Sequence, residues 1–171
     1  GVSTASTYAT INVTKLYKFD VICSEPVKVQ NGNGATYFDL NIHNQGNIYD
    51  IYEFSSDLSG KDGWTFNPEL SEVSIDSNII RRNFRVTFSN LFPLKGNYTF
   101  PLTVYPRSGI APKTLELKVV VPAIFNFTAD SKITDPEALP GRGIGGSIRI
   151  ETESNCRDSY SIIPVLTEGF I

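Results

Sequence analysis

The sequence predicts an all-β fold, an antiparallel β-sandwich with an extended N-terminal strand. Three observations point there. Apolar residues recur at every second position in run after run. Clusters of Gly, Pro and Asn bound most of those runs. No window of useful length carries the 3.6-residue stripe and caps of a helix.

The first element is the longest. Across 5–23, ASTYATINVTKLYKFDVIC, one face reads Ala5, Thr7, Ala9, Ile11, Val13, Tyr17, Phe19, Val21 and Cys23, broken only by Lys15. The other carries Asn12, Thr14, Lys18 and Asp20. At about 3.3 Å per residue such a ribbon reaches on the order of 60 Å. A domain of this size has a radius of gyration of only about 16 Å. Residues 16–24 serve as the first strand of the domain, and the preceding residues overshoot it. After Gly1 no Gly or Pro precedes residue 26 to turn them back, and disorder does not select alternation. The remaining fate is addition to the open sheet of another copy, with Ala5, Thr7, Ala9, Ile11 and Val13 as the donor face.

The next runs align Phe38, Leu40 and Ile42; Ile80, Phe84, Val86 and Phe88; Tyr98, Phe100, Leu102 and Val104; and Leu115, Leu117, Val119 and Val121. Turn chemistry bounds them at 31–34, 44–47, 59–60, 62–63, 95–96 and 106–112. Pro101 and Pro164 fall inside candidate strands, which predicts edge positions for both. Arg81 and Arg82, adjacent in an alternating run, should lie on opposite faces. After Pro122 the rhythm loosens into one strand at 123–130, a turn-rich stretch to 147, and a strand-like pair to the C-terminus. The expected organisation is a donor strand at 1–15, a sandwich at 16–121 and a β extension at 122–171 packed on it.

Composition narrows the function classes. The chain has 171 residues, 40% hydrophobic and 12% aromatic, enough for a real core. Its net charge of −3 gives no electrostatic footprint for nucleic acid. No apolar run is long enough to span a membrane. A start at Gly1 and the absence of Met fit a processed, exported chain, and fit equally a chain trimmed at its start. Cys23 and Cys156 have no metal-ligand spacing; they either pair, closing a long loop, or remain free thiols. Three Asn-X-Thr sequons, at Asn12, Asn97 and Asn126, fall on the polar phase of their runs, where N-linked glycans can be carried.

Chemistry-bearing constellations are sparse. The single histidine, His43, lies on a polar phase, and no nucleophile elbow accompanies it. GRGIGG at 141–146 follows a Pro-rich stretch and opens no helix, so it reads as a loop and not a phosphate cradle. Asp57 and Asp62 lack the ligand pattern of a calcium loop. Asp130, Asp135 and Glu137 are denser, and a solvated turn explains them. The expectation is no enzyme, no cofactor and no metal. Tyr37, Tyr49, Tyr52 and Trp64 either line a sugar-binding face or, with Trp64 in the core, pave an ordinary sandwich.

One stretch of about 85 residues carries a family likeness. YFDLNIHNQGNIYDIYEFSSDLSGKDGWTF, followed by KGNYTFPLTVYP and LELKVVV, resembles the Ig-like, CARDB-type adhesion domains of bacterial and archaeal surface proteins. The matching elements are Phe38/Leu40/Ile42, the Asn44–Asn47 turn, Tyr49/Tyr52, Gly63-Trp64 and Gly96–Tyr98. The resemblance implies an extracellular Ig-like module, structural or adhesive, with no catalytic residues to transfer. The overall layout is also similar to archaeal filament subunits whose N-terminal strand inserts into the next subunit. Two readings follow: a glycosylated subunit of an extracellular filament, polymerising head to tail with itself by insertion of its N-terminal strand into the β-sandwich of the neighbouring subunit, or a monomeric carbohydrate-binding or adhesion module.

Overall fold

The computed structural model describes residues 9–31, 34–133 and 145–163. These form strands and no helix. In chain order they are β1 (Phe19–Cys23), β2 (Val27–Val29), β3 (Gly34–Asn44), β4 (Asp50–Ser56), β5 (Thr65–Pro68), β6 (Glu72–Ile75), β7 (Ile80–Asn90), β8 (Gly96–Pro106), β9 (Lys113–Val121), β10 (Phe127–Ile133) and β11 (Gly146–Thr152). One sheet has the order β1-β3-β7-β5 and the other β2-β9-β8-β4-β6. Every pairing in them is antiparallel except β2 with β9. The chain thus leaves one sheet after Cys23 and joins the edge of the other at Val27.

The alternation that predicts the strands also builds the core. Phe38, Leu40 and Ile42 on β3, Phe84, Val86 and Phe88 on β7, Phe100, Leu102 and Val104 on β8, and Leu117 and Val119 on β9 are all fully buried. Each such side chain contributes about 1.5–3 kcal/mol by leaving water. Aromatic contacts bridge the two layers: Phe88 stacks on Phe100 at 4.2 Å, Phe84 on Phe54 at 4.3 Å, and Phe19 lies 5.1 Å from Tyr52. Trp64 closes one end against Tyr98 and Phe100, with centroids 4.9 and 5.0 Å away. The inner faces of the two sheets are packed against each other, and their edge strands are β1 and β5 in one and β2 and β6 in the other.

Several expectations need correction. Ile80 does not join the core row. Leu40 pairs with Phe84 but Ile42 with Arg81, so one residue of β3, Asn41, faces two of β7, Arg82 and Asn83. Asn83, at φ 55°, takes the left-handed conformation that Asn tolerates better than most residues. This bulge changes the phase, leaving Ile80, Arg81 and Arg82 all exposed. Pro101 lies in the middle of a five-stranded sheet, not on an edge strand. The conflict is local only: β4 ends at Ser56, opposite Leu102, so Pro101 lies one step past the last rung of that ladder. Pro164 lies outside the described residues.

The C-terminal region departs furthest from expectation. β10 and β11 form a separate two-stranded sheet whose residues are exposed almost throughout. It joins the sandwich through backbone and polar contacts, not through core packing. Lys95 N–H donates to the Asn155 carbonyl at 3.0 Å, and the Asn155 side chain bonds Ile124 N–H and the Pro122 carbonyl. Of the final strand-like segment expected at 159–171, residues 159–163 form no strand and the rest lie outside the described residues.

Candidate assembly surfaces

Two regions present β-type chain without the cover such chain needs. The first is the N-terminal segment. Residues 9–18 precede β1 without pairing as a strand. Residues 14–18 are nonetheless held firmly, by the 44–47 turn. Asn47 makes three hydrogen bonds to them: its Oδ1 accepts from Leu16 N–H at 2.7 Å, its Nδ2 donates to the Thr14 carbonyl at 2.8 Å, and its N–H donates to the Leu16 carbonyl at 3.0 Å. Gln45 N–H donates to the Lys18 carbonyl at 2.8 Å. Gly46 permits this close approach, since a Cβ there would run into the Leu16 carbonyl oxygen. The turn is anchored in its own right, because buried Asn44 bonds Gly46 N–H and the Ile48 and Ile75 carbonyls, each at 2.9 Å.

Beyond this clamp, residues 9–13 project. Among the described residues no hydrogen bond reaches their backbone. Ile11 is 84% and Val13 72% exposed. Of the predicted donor face, Ala9, Ile11 and Val13 are seen in this uncovered state. Ala5 and Thr7 lie outside the described residues.

The second region is the β10–β11 hairpin. Its register places Phe127 opposite Thr152, Ala129 opposite Ile150, Ser131 opposite Ile148 and Ile133 opposite Gly146. Paired residues share a face. One face therefore carries Phe127, Ala129, Ile133, Ile148 and Ile150, and the other Thr128, Asp130, Lys132, Ser147, Arg149 and Glu151. This is the in–out pattern of a half-buried sheet. Yet Ile133 is 62%, Phe127 54% and Ile148 50% exposed. Among the described residues one corner is covered, where Tyr160 lies 5.0 Å from Phe127 and bonds the Thr152 hydroxyl at 3.2 Å. The neighbouring 91–94 loop adds exposed Leu91, Phe92 and Leu94 at the same end.

The two regions lie at opposite ends of the sandwich. Lys15 and Tyr17 share a surface depression with Asp50, Arg107 and Ser108, just past Pro106 at the end of β8. The hairpin leaves from Val121, which pairs with Gly96 at the start of β8. Eleven residues of strand separate those points, on the order of 33 Å.

The remaining predicted positions divide clearly. Asn12, Asn97 and Asn126 are all exposed. The Asn126 side-chain amide donates to Glu153 at 3.1 Å, a bond that a glycan there would have to replace. Cys23 and Cys156 are both free thiols, so the pairing alternative is not realised in this structure. Cys23 sits opposite Leu40 on the first sheet, whereas Cys156 lies beside the Ile124 carbonyl at the base of the hairpin. Partial burial pushes the Cys23 thiol pKa up, which disfavours the reactive thiolate. Of the four aromatics considered for a sugar-binding face, Tyr52 and Trp64 are buried in the core, and only Tyr37 and Tyr49 are exposed. Among the described residues no cluster of three metal-ligating side chains forms; Asp135 and Glu137 lie outside them. Among the described residues no helix is long and apolar enough to cross a membrane.

No family model matches the sequence, and comparison with curated proteins finds no match. Among solved structures the chain is similar to a FixG-related protein from Vibrio parahaemolyticus, at 10% identity and a TM-score of 0.46, covering 61% of this chain and 95% of that one. It is also similar to the PapD-like domain 7 of human CEP192, at 15% identity and a TM-score of 0.41, over 71% and 97% of the two chains. A third similarity is to domains 4 and 5 of the S-layer protein SbsC, at 14% identity and a TM-score of 0.41, over 67% and 57%. The class rests on the chain's own two facing sheets, which make a β-sandwich. At these identities and TM-scores the likenesses transfer no family, activity or partner to this chain.

Proposed function

We propose that this protein is a non-enzymatic structural subunit of an extracellular filament, joined head to tail to copies of itself through its N-terminal segment. The observation that supports this reading is the placement of two uncovered β elements at opposite ends of a closed sandwich. An element at one end that needs a partner at the other end makes a heterologous contact. Such contacts generate open filaments when the rotation does not close. The clamp at Asn47 fits the role, since a strand that bears load between subunits needs a firm root in its own domain. Glycans at Asn12, Asn97 and Asn126 belong to the same reading, as do export and a cell-surface location. Asn12 then calls for a glycan directed away from the joint, on the polar phase of the donor segment.

The alternative of a monomeric carbohydrate-binding module loses support from the burial of Tyr52 and Trp64, which removes two of its four aromatics. Electron microscopy of the concentrated full-length protein tests the filament reading. Fibres from the full chain and none after deletion of residues 1–13 are expected. Fibres from the truncated chain, or a full chain that stays monomeric at high concentration, would refute it.

A further inference from the structure

The sandwich interior is the obvious acceptor for a donor strand, but its core rows are already closed. The hairpin is the element that lacks a strand. An isolated two-stranded hairpin is marginal in water, and three strands with an apolar face are the usual minimum for stability. Among the described residues both outer edges of this hairpin are open, because its sheet there contains β10 and β11 alone. We infer that residues 9–13 of a second copy add to an open edge of the β10–β11 hairpin, so that Ala9, Ile11 and Val13 extend the apolar row of Phe127, Ala129, Ile148 and Ile150. This rests on the head-to-tail reading above and names the surface that receives the strand.

Three features favour this occupant. The segment and the hairpin edges need the same thing, since among the described residues no hydrogen bond reaches the backbone of 9–13 and no strand pairs with the outer edges of β10 and β11. Their side chains have the same period and complementary bulk: small and β-branched residues on the segment, larger apolar ones on the hairpin. Finally, the segment cannot serve its own hairpin. Ile11 and Val13 lie within about 10 Å of the clamped Thr14 along the chain, while the hairpin begins on the order of 33 Å away.

Cross-linking between differently labelled copies tests the assignment. In a background with Cys23→Ser and Cys156→Ser, one copy carries Val13→Cys and a second, isotopically labelled copy carries Ala129→Cys or Ile148→Cys. The copies are mixed under assembly conditions and oxidised. The expected result is a disulfide between position 13 of one copy and position 129 or 148 of the other, at least tenfold above a control pair with Arg149→Cys on the polar face. Disulfides joining only hairpin to hairpin would overturn the inference in favour of face-to-face pairing. Proximity of residues 164–171 to Ile148 within one copy, seen as an intramolecular bond with Leu166→Cys, would overturn it in favour of self-cover. Fibres without any bond from position 13 to the hairpin would refute this acceptor while leaving the filament reading intact. Absence of fibres and of cross-links would remove both.

Discussion

The sandwich and the hairpin are written in the same alternating code and end in opposite states. On β8, Phe100, Leu102 and Val104 are wholly buried; on β11, Ile148 has half its surface in water. The difference lies in what stands opposite. β8 has β9 and β4 beside it and β7 across from it, so each apolar side chain meets both lateral and facing neighbours. β11 has β10 on one side and, among the described residues, no facing layer. Period-two patterning specifies that a strand has an inner face; it does not specify which chain provides the inside. Where one chain leaves that face bare, the pattern becomes evidence for a partner.

The sharpest contrast comes from truncating one residue in each region. Phe88→Ala removes the centre of an aromatic cluster that includes Phe38, Phe66 and Phe100. It is expected to cost about 3–5 kcal/mol in urea unfolding. Asn83→Val tests the bulge next: a β-branched residue in the left-handed region is expected to cost about 1–2 kcal/mol, while Asn83→Gly stays near neutral. A comparable loss for both variants would mean the side chain, and not the backbone conformation, sets that site. Asn47→Ala, which removes two side-chain hydrogen bonds from the clamp, is expected to cost about 1–2 kcal/mol. It should also raise the proteolytic sensitivity of residues 9–18 more than that of any strand in the sandwich.

The ion pair between Lys113 and Asp20, 2.6 Å apart, has a smaller effect. The hydrogen bond from Lys113 holds the Asp20 carboxyl below its ordinary range. A depressed carboxylate contributes its stabilisation above its unfolded pKa, near 3.8, and loses it as pH falls through the lower folded value. Asp20→Asn should therefore lower stability at neutral pH and match the parent protein in strong acid. Both side chains are well exposed, so the difference at neutral pH is expected below about 1 kcal/mol. Smallest of all is Ile148→Asp, expected within about 0.5 kcal/mol in urea unfolding of the sandwich. The same variant should abolish assembly, which separates the hairpin from the core by function.

Much of this was legible in the sequence. The rows of β8 and β9 follow directly from alternation because their ladder is regular, and that of β3 does so because the extra residue of its bulge lies on β7. Ile80 was misleading because a bulge inserts one residue and shifts the phase, and nothing in IIRRNF marks where. Pro101 misled for a related reason: whether a position has a neighbour depends on where β4 stops, which is a property of a distant segment. The Asn-rich turn at 44–47 was recognisable as a turn. Its role as a clamp on residues 14–18 was not, because that contact spans about thirty positions and depends on the absence of a Cβ at Gly46. Apolar phases in both candidate regions were visible from the start, whereas their exposure could be learned only from the structure.

Hydrogen–deuterium exchange before and after assembly bears most directly on the central claim. If the sandwich is closed and the hairpin awaits a strand, amides of β3, β7 and β8 exchange slowly in both states. Those of β10, β11 and residues 9–13 exchange rapidly in the monomer and become protected together on assembly. Hairpin amides already as protected in the monomer as those of β8, or unchanged protection of residues 9–13 in fibres, would contradict it.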